Sequence, residues 1–110
     1  MDTVGIAMEL IAGAGDARSY AMEAIEQAKT GDFGEARASL QKAKESMVEA
    51  HEVQTGLLRA EMTGNESDRA ELSLLMVHAQ DHLTMALLMR DIALEFIELY
   101  EKLAEKEKQA

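Results

Sequence analysis

Only two stretches of this 110-residue chain carry clustered turn signals, and it contains no proline. The first stretch is Thr30-Gly31-Asp32-Phe33-Gly34 and the second is Thr63-Gly64-Asn65-Glu66-Ser67. Each places a glycine just past a helical pattern, where a left-handed residue closes a helix. Each is followed by a capping-box-like start, Asp32 with Glu35 and Asp68 with Glu71. There a side-chain oxygen takes an amide that has no partner inside the helix. Without proline, nothing else breaks a helix outright. The two breaks predict three long helices near 3–29, 33–62 and 67–107. Short connections make neighbours antiparallel, so the expected fold is all-α, an up-down-up three-helix bundle in one domain over 1–110. The charged tail from Glu101 to Ala110 is expected to fray, with about 104–110 reading as tail.

The three helices differ in what they must bury. The first contains Gly13-Ala14-Gly15, and two interior glycines cost about 1 kcal/mol each relative to alanine. Such a pair indicates close helix packing or a bend, or a site or neighbouring subunit that approaches the backbone. The second helix is conventionally amphipathic. Ala36, Leu40, Ala43, Met47, Ala50, Gln54 and Leu57 recur at three- and four-residue steps, opposite Arg37, Lys44 and Glu52. The third is apolar nearly all round, from Leu72 through Leu83, Leu87 and Ile92 to Ile97. Two partner helices in one chain cannot cover such a helix, and monomers rarely expose large contiguous apolar patches. A homo-oligomer with the third helix at its centre is therefore expected.

Charge and composition exclude several classes. The net charge is −10, which repels nucleic acid and anionic membrane alike and suits a basic protein partner. Without cysteine there is no disulfide framework and no thiolate chemistry. Met1 is followed by Asp2, with no cationic leader, and the most apolar stretch is cut by His78, Asp81, Arg90 and Glu95. Neither a signal peptide nor a membrane span is expected, and the cytoplasm is the default location. A glycine-rich phosphate cradle is absent, so no nucleotide is expected to bind.

Chemistry concentrates in a polar island of the third helix, Val77-His78-Ala79-Gln80-Asp81-His82. Asp81 and His82 follow His78 by three and four residues and share its face. Asp81 lies on the stripe of Leu74, Val77, Met85 and Leu88 with no nearby Lys or Arg in the helix. A carboxylate in an apolar stripe must be neutralised, paired or bound to a cation. Three readings compete for the histidines. Two at i and i+4 can chelate zinc, although Ala79 stands where a zinc protease has its general base. The group can also be a satisfied structural network. Or a neutral imidazole can take a phosphoryl group, with Gln80 and His82 as donors to the anion. A second constellation, His51 with Gln54 and Thr55, reads as helix–helix hydrogen bonding or as a lining of the same cleft.

Taken together, these segments resemble the enzyme IIA component of the lactose/cellobiose class of the bacterial sugar phosphotransferase system. The resemblance runs from about Met8 to Leu103. It includes Glu9-Leu10-Ile11 with Gly15-Asp16-Ala17-Arg18-Ser19, then Gly31-Asp32-Phe33, then Ala50-His51 with Gln54-Thr55. Its most specific element is Val77-His78-Ala79-Gln80-Asp81-His82-Leu83, after which Thr84-Met85 exchanges the usual order of two residues. The resemblance implies a homotrimer with third helices around a central axis. It implies that His78 is phosphorylated by the histidine-containing phosphocarrier protein and passes the group to a cysteine of the cognate enzyme IIB. The group then serves uptake and phosphorylation of a β-linked disaccharide such as lactose or cellobiose. It also implies that three Asp81 carboxylates meet on the threefold axis around a divalent cation, magnesium. Gln80 and His82 are then expected to bind the phosphoryl group. The alternative from a different class is a non-catalytic oligomeric adaptor of the same fold.

Overall fold

The computed structural model describes residues 2–64 and 69–109. Three α-helices follow one another, α1 (Thr3–Lys29), α2 (Phe33–Thr63) and α3 (Leu74–Gln109), and form a rod of 63 × 22 × 20 Å. The described residues contain no strand. One core cluster joins Ala7, Leu10 and Ala14 of α1 to Met47 and Ala50 of α2 and to Ala79 and Leu83 of α3. The other joins Ala24 and Ala28 to Ala36 and Leu40 and to Ala93 and Ile97. The early half of α1 thus meets the late half of α2 and the early half of α3. This is the expected up-down-up order, with α1 and α3 parallel.

Capping chemistry sets the boundaries. Asp2 Oδ1 accepts from the Gly5 amide at 2.9 Å to start α1, and Asp32 Oδ1 accepts from Glu35 at 3.4 Å to start α2. Gly31 and Gly64 take φ of +83° and +76°, the left-handed turn that ends α1 and α2. The third helix departs from expectation. It begins at Leu74 rather than near 67, because the Ser73 hydroxyl accepts from the Met76 amide at 3.1 Å and its carbonyl from Val77 at 3.0 Å. Glu71 precedes the helix. Asn65, Glu66, Ser67 and Asp68, and with Asp68 the second capping box, lie outside the described residues. The far end also differs, for α3 stays helical to Gln109 instead of fraying at about 104. Arg37 clamps Glu101 at 2.7 Å, and Lys106 and Lys108 complement the carbonyl end of the helix dipole.

Most of the buried apolar residues are alanines, so the helices approach closely. Gly13 serves that approach: a Cβ there would lie 3.1 Å from the Ser46 carbonyl oxygen and 3.4 Å from Ala50 Cβ. Close packing, one of the two readings of the glycine pair, holds at Gly13. Gly15 is different, since a Cβ there would meet nothing within 4 Å.

In α3, Met76, Ala79, Leu83, Ala86, Ala93 and Ile97 turn inward. Leu74, Val77, Met85, Leu88, Phe96, Leu99 and Leu103 stand exposed on the opposite side. Within one chain the helix is therefore not buried all round, and its back is an apolar stripe open to solvent. Of the three pairs, α2 and α3 touch each other least. They are tied by Arg37–Glu101 and by a hydrogen bond of 2.8 Å from Gln54 Nε2 to Gln80 Oε1.

Candidate functional site

The helical repeat brings His78 and His82 together on α3. Their Nε2 atoms are 2.9 Å apart, with ring centroids at 4.4 Å and planes crossed at 84°. His78 is exposed and His82 half-buried. A contact of this length between two ring nitrogens is a hydrogen bond, so one Nε2 carries a proton and the other presents a lone pair. When His82 donates, His78 holds its proton on Nδ1 and its Nε2 lone pair accepts that bond, facing His82. That is the tautomer a nucleophilic imidazole needs. Two nitrogens that share a tetrahedral zinc sit about 3.3 Å or more apart, since each bond is roughly 2.0–2.1 Å. Among the described residues no third His, Cys, Asp or Glu joins the pair.

Asp81 lies one residue away on the midline of the exposed stripe, with Leu74, Val77, Met85 and Leu88 above and below it. Among the described residues no Lys or Arg forms an ion pair with it. One chain offers a cation this single carboxylate, so the donor type fits a hard divalent ion but the donor number does not unless copies of the chain converge.

Gln80 goes elsewhere. Two residues along a helix is about 200° around it, so Gln80 points to α2 while His78 points away. Its Oε1 accepts from Gln54 and its Nε2 lies 3.5 Å from Met76 Sδ. In this chain Gln80 does not reach the His78 ring. The same bond decides part of the second constellation: Gln54 is a helix–helix link. His51 is exposed, and its carbonyl accepts from the Thr55 hydroxyl at 3.0 Å within α2. His51 and Thr55 line a shallow depression with Val48, Gly56 and Arg59, separate from His78.

Two hollows adjoin the histidine pair. A small apolar one is lined by Leu74, Leu75 and His78. A longer groove of about 470 Å³ runs between α1 and α3, lined by Gly15 and Arg18 on one wall and His82, Met85, Met89 and Ile92 on the other. Among the described residues that line this groove, Arg18 is the only Lys or Arg. Its signal in the sequence was a basic residue one turn after a glycine that no turn required. Elsewhere, Glu9 of α1 faces Glu49 of α2. A hydrogen bond that the protonated Glu9 carboxyl donates to Glu49 and the repulsion between the two carboxylates raise the Glu9 pKa above its ordinary value.

The sequence model of the family described as PTS system, Lactose/Cellobiose specific IIA subunit matches residues 5–101. The chain is 50% identical over 101 residues to the lichenan-specific phosphotransferase enzyme IIA component of Bacillus subtilis (strain 168), covering 92% of this chain and 89% of the relative. It is 43% identical over 98 residues to the N,N'-diacetylchitobiose-specific EIIA component of Escherichia coli (strain K12), covering 89% and 82%. Its fold matches the crystal structure of the cellobiose-specific enzyme IIA from Bacillus anthracis with a TM-score of 0.87 and 44% identity, over 96% of this chain and 94% of that one. It also matches a chain in the solution structures of the IIA(Chitobiose)–HPr complex of Escherichia coli, with a TM-score of 0.78 and 39% identity, over 94% and 98%.

Proposed function

The chain belongs to the lactose/cellobiose-specific IIA family of the sugar phosphotransferase system, and from that membership we propose that it relays a phosphoryl group through His78 between two protein partners. The observation that carries the reading is the Nε2–Nε2 contact of 2.9 Å on an exposed helix face. The donor is the phosphorylated histidine-containing phosphocarrier protein, a choice supported by the complex of that carrier with a chitobiose relative. The His78 Nε2 lone pair attacks phosphorus as the donor's P–N bond breaks. The electron pair returns to the donor imidazole, and the Nδ1 proton of His78 stays in place. In the second half-reaction a cysteine thiolate of the cognate enzyme IIB forms a P–S bond and the pair returns to Nε2. Before transfer the His78 Nε2 lone pair accepts from His82 Nε2–H; that bond breaks as the lone pair turns to phosphorus, and the freed N–H donates to a phosphoryl oxygen. Gln80 has a lesser part as phosphoryl ligand, since its amide nitrogen must leave Met76 to donate.

The exposed stripe of α3 is assigned to self-association as a homotrimer around a central axis, working in the cytoplasm. Asp81 would then meet its two copies, and three carboxylates with oxygen donors suit magnesium. That cation would neutralise a cluster that otherwise repels itself, and it holds no place in the transfer steps. The sugar is a β-linked disaccharide such as lactose or cellobiose, bound by the membrane component.

Incubation with phosphoenolpyruvate and the general phosphotransferase proteins tests the reading. Wild type and His51→Ala should each gain one acid-labile phosphoryl group, and His78→Ala none, with helix content unchanged by circular dichroism. Absence of labelling in the wild type would favour an adaptor of the same fold. A labelled His78→Ala with a dead His51→Ala would move the acceptor to α2.

A further inference from the structure

We propose that Arg18 of α1 binds the phosphoryl group carried by His78, reaching it along the groove that ends at His82; this rests on His78 being the acceptor. Three observations converge on it. Arg18 and His82 line one groove, with no other Lys or Arg among the described residues that line it. Among the described residues Arg18, like Arg59 and most of the lysines, forms no ion pair, so no carboxylate competes for its guanidinium. And Gly15, one turn before Arg18 on the same wall, has no structural reason to be glycine. Its φ is not positive, and a Cβ there would meet nothing within 4 Å. An interior glycine costs about 1 kcal/mol against alanine, so this one is retained for something other than the fold of the chain.

Helix geometry supplies the reason. A helical side chain leans toward the N-terminus, over the residues three and four positions before it. Arg18 shares its groove wall with Ala14 and Gly15, and this tendency directs it along that wall. Because α1 and α3 run parallel, that direction leads down the groove to His82, whose Nε2 touches the His78 Nε2. Glycine at position 15 leaves that wall open, with nothing within 4 Å of where its Cβ would stand. The guanidinium is always charged and offers a planar fork of donors that matches two phosphoryl oxygens. On a chain of net charge −10, a phosphohistidine dianion is otherwise held in a repulsive field, and Arg18 is the nearest compensation the groove provides.

The test separates phosphoryl binding from protein docking by using two donors. Phosphoramidate, a small chemical donor, and the phosphorylated phosphocarrier protein are each applied to full-length wild type, Arg18→Gln and Arg18→Lys. The product is titrated by ³¹P NMR. Loss of a charge-assisted contact worth at least 1.4 kcal/mol predicts acceptance slowed on the order of tenfold in Arg18→Gln. The phosphoryl pKa should also move upward, and Arg18→Lys should recover most of both effects. A wild type that labels while Arg18→Gln leaves the ³¹P titration unmoved overturns the assignment, whatever happens to the rate. Slowing confined to the protein donor overturns it too, and makes Arg18 a docking contact. A wild type that takes no phosphoryl group from either donor instead sinks the acceptor role of His78, and this inference with it.

Discussion

On the proposed relay, His78 and His82 divide one task between two chemically identical side chains, and their surroundings suit the division. His78 is exposed, as an acceptor that meets a partner's phosphohistidine must be; His82 is half-buried and 2.9 Å away, in reach to donate. Replacing His82 with Ala should slow phosphoryl acceptance by about 10²-fold, as loss of one positioned donor does. Gln80→Ala should slow it less, because Gln80 is already engaged by Gln54. Rapid-quench labelling of both variants checks the order, and a larger loss for Gln80→Ala would place that amide on the phosphoryl group. This contrast marks what could be read from the residues. A spacing of four residues, with side chains of the right type, was enough to pair the histidines. Gln80 lay in the same six-residue island, yet its partner sits on another helix, and spacing within one helix carries no information about that. The Glu9–Glu49 pair was hidden for the same reason. Glu9 has a raised pKa in the folded chain, so the folded state holds its proton more tightly than the unfolded chain. That contribution is present at low pH and fades to repulsion as pH rises through the raised pKa. Glu9→Gln should therefore raise the thermal midpoint near neutral pH, and the gain should vanish as the pH falls through the carboxylate range.

Helix boundaries follow caps more closely than they follow hydrophobic pattern. The ends at Lys29, Phe33 and Thr63 were legible because glycine and aspartate mark them with side chains or backbone that act locally. The expected start of α3 near 67 rests on the pairing of Asp68 with Glu71, whereas the Ser73 hydroxyl caps a helix that begins at Leu74. Ser73→Ala should cost about 1 kcal/mol, the usual value of an N-cap, and fray the turn that leads to His78; amide exchange at Met76 and Val77 reads this directly. The two glycines of α1 offer a matched pair. Gly15→Ala should raise stability by up to about 1 kcal/mol, since nothing opposes the new methyl. Gly13→Ala should gain much less or lose, since the Ser46 carbonyl at 3.1 Å must yield. Chemical denaturation of both variants decides whether α1 tolerates a side chain on one flank only.

At the scale of the whole molecule, an apolar face along most of α3 has one carboxylate at its midline. Periodicity made that face legible as surplus to a single chain, though one sequence does not count the copies that cover it. Asp81→Leu removes the charge while keeping the stripe, and replacing a buried ionic cluster with apolar groups is often neutral or stabilising by about 1–4 kcal/mol. The variant should sediment as an oligomer with or without chelator, while the wild type should weaken when divalent cations are stripped. A wild type that is monomeric under all conditions would refute self-association. The alanine-rich interior described above adds a thermodynamic corollary. Where alanines make up most of the core and leucines, methionines and phenylalanine stand on the outside, the proposed self-association would add apolar transfer that a lone chain does not obtain by folding. Mass action then links folding to dilution. The melting temperature should climb with protein concentration, and a sample diluted far enough should unfold at a temperature its concentrated stock survives.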